Sequence, residues 1–208
     1  MKWPKWLKNN EYAKTAIILI IILVAVFGFQ FGIRAALRTS YPLAAVESGS
    51  MEPTLKIGDL IIVQGISNAS QIKVGPNPEG DIIVFYEPGG GTKTVYWFFK
   101  QPDLIVHRAI AEEYNSTTHM WYFETKGDAN PVPDQVAFGW GWIPQNMIVG
   151  RVVGHVGYLG EVSMFMQSTN GMYVIIFLFC ALLIWAIFFP EKKSSQPEER
   201  TSLYKEPP

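Results

Sequence analysis

Residues 104–110 read LIVHRAI, a short run of apolar and β-branched side chains interrupted by one histidine and one arginine. Successive side chains of a strand point to opposite faces, so His107 would share a face with Ile105 while Arg108 lies on the other face. Similar runs, separated by turns containing glycine and proline, cover 59–64, 81–86, 94–99, 120–126 and 148–156. No helical periodicity of useful length lies between them. The pattern predicts a mainly β domain, antiparallel and partly barrel-like.

Two long apolar segments flank this region. Residues 16–33 contain only Gln30 as a strongly polar residue, and residues 172–189 carry no charge. As helices, both would nearly cross a hydrocarbon core of roughly 30 Å. A buried core helix would keep a polar face, and a cleaved signal peptide usually has a shorter apolar run. We therefore predict two transmembrane helices, at 15–34 and 172–189.

Basic residues at both ends of the chain indicate its orientation. They are Lys2, Lys5, Lys8 and Lys14 before the first segment, and Lys192, Lys193, Arg200 and Lys205 after the second. Basic flanks favour the cytoplasmic side of a membrane, which would place both termini in the cytoplasm. The predicted organisation is a cytoplasmic N-terminus at 1–14, an extracytoplasmic β domain at 39–161 between the two helices, and a cytoplasmic disordered tail at 190–208.

Composition narrows the function classes. The formal net charge of -1 gives no indication of nucleic-acid binding. The only cysteine, Cys180, lies in the second apolar segment, so the outer domain would depend on its core rather than on disulfides. Two N-glycosylation acceptor sequences, at 68–70 and 115–117, fit a domain outside the cytoplasm, although chance also produces them.

Residues 47–55, ESGSMEPTL, contain two serines that could act chemically if a base lies near. His107, within its strand-like run, is a candidate base, and it is equally interpretable as a core histidine bonded to a carbonyl. His119 follows polar residues and is typical of a loop. His155 lies among glycines and suggests no role.

Residues 126–135, KGDANPVPDQ, offer Asp128 and Asp134 in a turn-rich loop. Either carboxylate could orient a histidine base, and both could equally be solvated turn residues. A zinc site is the remaining alternative, but histidine spacings of 12 and 36 match no common ligand pattern.

Four motifs in order resemble those of the type I signal peptidases. They are SGSMEPTL with IGD at 48–59, GDIIVF at 80–85, IVHRAI at 105–110 and KGDANPVPD at 126–134. Bacterial members carry a lysine base, whereas this sequence has His107 there. It is therefore similar to the archaeal and endoplasmic-reticulum branch.

The resemblance implies a role for each motif residue. Ser50 would be the nucleophile, Ser48 would contribute to the oxyanion hole with the Ser50 backbone N–H, and His107 would be the base. Asp134 matches the usual partner of the base, and Asp128 matches a second acidic catalytic position. Substrate-binding residues expected by analogy are Pro42, Ala44, Val46, Leu104 and Val106.

The implied function is a membrane-bound serine endopeptidase that removes signal peptides from preproteins, without metal or organic cofactor. Its partners would be preprotein signal peptides, the lipid membrane and translocon or accessory subunits, and an archaeal cell membrane is preferred over the endoplasmic reticulum. The alternatives are a specialised processing peptidase of the same fold and a non-catalytic scaffold subunit. The aromatic segment at 138–142 either rests at the membrane interface or packs in the core.

Overall fold

A computed structural model describes residues 11–95 and 99–188. Most of the predicted cytoplasmic N-terminus and the whole predicted tail at 190–208 lie outside the described residues. The same holds for 96–98, in the middle of the run expected at 94–99. The strand and helix bounds given below refer to the described residues.

Seven strands form one antiparallel sheet in the order β1-β2-β9-β3-β6-β7-β8. A separate two-stranded hairpin pairs β4 with β5. The strands are β1 (Leu43–Ala45), β2 (Leu60–Gln64), β3 (Ile82–Tyr86), β4 (Thr92–Val95), β5 (Phe99–Pro102), β6 (Leu104–Asn115), β7 (Met120–Lys126), β8 (Ile143–Pro144) and β9 (Ile148–Val156). The prediction of a mainly antiparallel β domain is confirmed.

The partly barrel-like closure is not observed, and this part of the prediction is corrected. The order of the sheet has two ends, β1 and β8, which do not pair with each other. These strands have only three and two residues, so they offer few backbone groups for closure. The domain is an open sheet.

Two short helices of the β domain were not expected from the sequence. They are α2 (Asp134–Phe138) and α3 (Leu159–Gln167). Five residues are too few to show a helical period. The helix α3 begins before residue 161, the predicted end of the domain, and continues beyond it.

The core lies on both faces of β3. Ile83, Val84 and Phe85 are completely buried. Because neighbouring side chains alternate, Val84 packs in one apolar cluster with Met51 while Ile83 and Phe85 belong to a second cluster. This double burial explains why β3 reads as a continuous apolar run rather than an alternating one.

The helix α1 (Glu11–Leu37) contains the first predicted span. Its stretch Ala16–Leu37 is long and apolar enough to cross a membrane, and none of it is buried against the domain. The helix α4 (Thr169–Phe188) covers most of the second predicted span. It meets α3 at an angle of 80°, and the two satisfy the length and hydropathy of a span only as a bent pair. A second crossing therefore stays a prediction.

The aromatic segment at 138–142 packs in the core at one residue, and its contact with a membrane interface stays a prediction. Phe138 stacks on Trp140 with ring centroids 4.5 Å apart, and Trp140 packs against the second apolar cluster. Phe138 and Trp142 remain exposed at 56% and 36%. Core packing therefore accounts for Trp140 and not for its two neighbours.

Candidate active site

Three side chains from distant parts of the chain form one chain of hydrogen bonds. Ser50 Oγ lies 2.9 Å from His107 Nε2, and His107 Nδ1 lies 2.6 Å from Asp134 Oδ2. His107 is 6% exposed and Asp134 is fully buried. The site thus contains a hydroxyl, an imidazole and a desolvated carboxylate in the order that nucleophilic catalysis uses.

The hydrogen-bond roles follow from the chemistry of the carboxylate. An ionised carboxylate only accepts, so the Nδ1–H of His107 donates to Asp134 Oδ2. This leaves the Nε2 lone pair of His107 free to accept the hydroxyl proton of Ser50. Thr125 Oγ1 also donates to Asp134 Oδ2, at 2.7 Å, so the same carboxylate oxygen accepts from both the imidazole and this hydroxyl. Thr125 was not expected from the sequence, and its position in β7 beside the histidine strand is its only signal.

Packing holds Ser50 in place. The serine sits in a single 3-10 turn, Gly49–Met51, whose Met51 is buried in the first apolar cluster. The carbonyl of Ser50 accepts a hydrogen bond from the Ala129 amide at 2.9 Å. A Cβ on Gly127 would lie 2.6 Å from that carbonyl, so only glycine allows the 127–129 segment to approach. The loop that leads to Asp134 therefore also clamps the turn that carries Ser50.

Ser48 lies next to Ser50, with the two Oγ atoms 3.2 Å apart. Because the Ser50 hydroxyl donates to His107, Ser48 is the donor in this pair. The contribution of Ser48 to an oxyanion hole stays a prediction, since this contact places its hydroxyl beside the nucleophile only.

Asp128 does not contact His107 in this arrangement. Its carboxylate accepts two hydrogen bonds from Arg108, at 2.7 Å to Nε and 2.6 Å to Nη2. Thr54 Oγ1 donates to it at 2.5 Å and Asn77 Nδ2 at 3.1 Å. Of the two aspartates in the loop, only Asp134 partners the histidine, while Asp128 ties strand β6 to the segment that follows Ser50.

The electrostatics of Asp128 agree with that tie. Burial by itself would raise the pKa of Asp128, but hydrogen bonds from Arg108 and Thr54 and the charge of Arg108 outweigh it, so the pKa lies below its usual value. The side chains of Arg108 and Asp128 are 5% and 3% exposed. Arg108 Nη1 additionally donates to the Gly80 carbonyl. Arg108 and Asp128 thus form an ion pair that is largely shielded from solvent and supported by several hydrogen bonds.

We expect Asp128→Asn to destabilise the protein at neutral pH. Breaking a buried ion pair typically costs about 3–5 kcal/mol, which corresponds to a loss of roughly 6–20 °C in Tm. Because the folded pKa of Asp128 is depressed, its contribution is present above the unfolded pKa of about 3.9 and is lost as the pH falls through the folded value. The difference between wild type and variant should therefore shrink in acid, which thermal unfolding in detergent between about pH 7 and pH 3 would measure.

Asp81→Asn is the matched control, since it removes a partly exposed pair with Arg151 at 3.5 Å. We expect it to cost less than about 1 kcal/mol. Equal losses in both variants would contradict a special role for the buried pair.

A groove of about 230 Å³ runs from β1 past Ser50 and His107. Four of the five expected substrate-binding residues line it, namely Ala44, Val46, Leu104 and Val106. Pro42 is buried beside β1, where its carbonyl accepts from the Val63 amide, and it is not among the lining residues. The hairpin β4–β5 contributes Lys93 and Gln101, and α3 contributes Ser163 and Gln167. An ion pair between Lys93 and Glu47 joins the hairpin to the β1 side.

The remaining histidines lie away from Ser50. His119 contacts Tyr114 at the tip of the β6–β7 hairpin, and His155 Nδ1 lies 3.1 Å from Asp59 Oδ2. Among residues 11–95 and 99–188, no group of three or more His, Cys, Asp or Glu side chains is arranged to hold a metal ion.

Comparison with known proteins identifies the family. Residues 10–111 match the family described as "Signal peptidase, peptidase S26". The signal peptidase complex catalytic subunit SEC11 of Schizophyllum commune is 31% identical over 142 residues, which cover 66% of this chain and 70% of the relative. The chain belongs to the signal peptidase family.

Two further relatives show how much of this signal peptidase chain is matched. The human subunit SEC11C is 32% identical over 129 residues, covering 61% of this chain and 58% of the relative. The SEC11 subunit of Tuber melanosporum is 25% identical over 184 residues, covering 86% and 91%. The family match at 10–111 contains Ser50 and His107, whereas Asp128 and Asp134 lie beyond it. These relatives are eukaryotic, and they give no support to the prediction of an archaeal membrane.

Proposed function

We propose that this signal peptidase is a membrane-bound serine endopeptidase that removes N-terminal signal peptides from preproteins. The observation that carries the proposal is the hydrogen-bonded chain Ser50–His107–Asp134, whose Ser50 and His107 line an open groove. Such a chain activates a hydroxyl without a metal or an organic cofactor. A scaffold would need neither the groove nor the alignment of Ser50 with the imidazole.

The proposed reaction has two halves. Ser50 Oγ attacks the carbonyl carbon of the last signal-peptide residue while its proton passes to His107 Nε2. The resulting oxyanion accepts hydrogen bonds from the Ser50 backbone N–H and the Ser48 hydroxyl, and the imidazolium is stabilised by Asp134. When the C–N bond breaks, His107 gives its proton to the departing amine. A water molecule, deprotonated by His107, then hydrolyses the ester and releases Ser50.

The groove supports an extended peptide as the substrate. Among the described strands, β1 is an end of the sheet and pairs only with β2, so its outer edge can accept a further strand through backbone hydrogen bonds. The side chains of Ala44 and Val46 and those of Leu104 and Val106 are apolar and line the groove. Small uncharged residues before the cleaved bond would fit against these four apolar side chains, which line the groove together with Ser50 and His107.

Membrane attachment is supported by exposed apolar surface. The helix α1 exposes apolar side chains along the stretch that can cross a membrane. The helix α3 exposes Leu159, Val162 and Phe165, while Ser163 and Gln167 line the groove. We propose that α3 lies at the membrane surface and that α4 provides the second crossing, which brings the groove to the place where a membrane-held signal peptide emerges.

The relatives are named as catalytic subunits of a signal peptidase complex. We propose accordingly that this chain also works with accessory subunits. The β domain would lie outside the cytoplasm, in the endoplasmic reticulum or an equivalent secretory membrane.

The test is cleavage of a full-length secretory preprotein by the purified chain in detergent or vesicles. N-terminal sequencing of the product should give a single new terminus directly after the signal peptide. Preproteins with a large or charged residue immediately before the bond should resist cleavage. The proposal is contradicted if the folded chain cleaves none of a varied set of preproteins, either alone or with a membrane extract added. Cleavage confined to one specialised class of preprotein would indicate a dedicated processing peptidase.

A further inference from the structure

The hairpin β6–β7 extends past β3 as a ribbon, and the short strand β8 pairs with the β7 side of this ribbon at Tyr122 and Phe123. The strand β3 pairs with β6 only from Leu104 to Arg108, and the rest of β6 continues to Asn115 paired with β7. At about 3.3 Å per residue, the ribbon extends roughly 20 Å beyond β3. Its last four residues in β6, 112–115, are all exposed. The tip is therefore accessible to a large enzyme.

The acceptor sequence at 115–117, Asn-Ser-Thr, lies at this tip. Asn115 Oδ1 accepts hydrogen bonds from the amides of Thr117 at 2.9 Å and Thr118 at 3.1 Å. These bonds hold the amide group by its oxygen. Within residues 11–95 and 99–188, Asn115 Nδ2 makes no hydrogen bond, so the nitrogen remains available for reaction.

The second acceptor sequence, at 68–70, is placed differently. Asn68 Oδ1 accepts from both the amide and the hydroxyl of Ser70, at 3.0 and 2.9 Å, so the hydroxyl that the acceptor sequence supplies is already engaged. Three residues earlier, Gly65 donates to the carbonyl of Leu37, the last residue of α1. Asn68 is thus close to the end of the membrane helix and is a natural control for Asn115.

We propose that Asn115 is a site of N-linked glycosylation and that Asn68 is not. The donor is an oligosaccharide attached through a phosphate or pyrophosphate to a polyprenol lipid. The Nδ2 nitrogen of Asn115 forms a bond to C1 of the first sugar, and the C1–O bond to the lipid phosphate breaks. The lipid phosphate leaves with the bonding electrons and takes up the one proton that the amide nitrogen loses.

The glycan would lie at the end of the β domain that is far from the groove. The strand β6 starts at Leu104, which lines the groove together with Ser163 of α3, and ends at Asn115. Its 12 residues span about 35 Å. A glycan at the tip therefore leaves the substrate path open and keeps this end of the domain in water. The site requires an extracytoplasmic β domain but is independent of the proposed peptidase activity.

The experiment uses the full chain made in eukaryotic cells. An amidase that releases N-linked glycans converts the modified asparagine into aspartate, and mass spectrometry of the peptide locates it. We expect the conversion at Asn115 and not at Asn68. Asn115→Gln and Thr117→Ala should abolish the gel-mobility shift caused by the amidase, whereas Thr117→Ser and Asn68→Gln should keep it.

Two further variants make the result unambiguous. Ser50→Ala should be glycosylated like the wild type, which separates this proposal from the proposed function. Gly90→Asn creates an acceptor sequence with Thr92 in an exposed loop, at a glycine where a Cβ meets nothing within 4 Å. Gly90 has a φ of +78°, a conformation that asparagine adopts more readily than most other non-glycine residues. A wild-type chain without glycan at Asn115 overturns the proposal. If the Gly90→Asn chain then carries a glycan, the β domain reaches the glycosylating compartment and the ribbon tip is not a substrate. If the Gly90→Asn chain carries none either, the β domain does not lie on the side of the membrane where glycosylation occurs.

Discussion

Ser50→Ala should reduce signal-peptide cleavage to background, a loss of about 10⁴-fold or more, because no other hydroxyl lies within hydrogen-bond distance of His107 Nε2 among the described residues. Ser48→Ala should lose less, roughly 10²–10³-fold in turnover, because it removes one oxyanion donor and leaves the nucleophile and base aligned. Single-turnover cleavage of a preprotein measures both values.

Chemical labelling distinguishes the two serines independently of turnover. A serine-directed acylating reagent should still modify Ser48→Ala slowly and should leave Ser50→Ala unmodified. Ser48→Thr keeps the donor and should recover part of the rate if the added methyl group fits. Activity in Ser50→Ala combined with inactivity in Ser48→Ala would reverse the assignment.

His107→Ala and Asp134→Asn should each lower turnover by about 10⁴-fold. The first removes the proton acceptor. The second replaces the carboxylate that accepts from His107 Nδ1 by an amide, which can favour the wrong tautomer of the imidazole. Thr125→Val removes only a hydroxyl that donates to the same carboxylate, so its loss should be much smaller, about tenfold.

His119→Ala is the matched control for the base, since that histidine bonds to Tyr114 at the ribbon tip, away from Ser50, and it should retain full activity. His107→Lys should be as inactive as His107→Ala, because the adjacent Asp134 carboxylate would hold the lysine in its charged form. Wild-type rates in His107→Lys would refute the pairing of an imidazole with a carboxylate at this site.

The local pattern of the chain determined most of the strands and the long apolar helix α1. Four of the six β-like runs match single strands within one residue at each end, because alternation and turn residues act within a few positions. A fifth run, 104–110, begins with β6, but the strand continues to Asn115. The apolar run after residue 15 likewise determines α1 by composition alone. The motif order also sufficed to predict the signal peptidase family.

Only the tertiary structure decided how these parts meet. The loop at 126–135 carries two aspartates of similar local context, and the fold sends Asp134 to His107 and Asp128 to Arg108. No sequence pattern predicts the contacts of Thr54 with Asp128 or of Thr125 with Asp134, since the partners lie 74 and 9 residues away. The openness of the sheet is decided in the same way, because closure depends on whether β1 and β8 come together across the whole domain. Sequence periodicity records which side a residue faces, whereas these contacts depend on the path of the chain between distant strands.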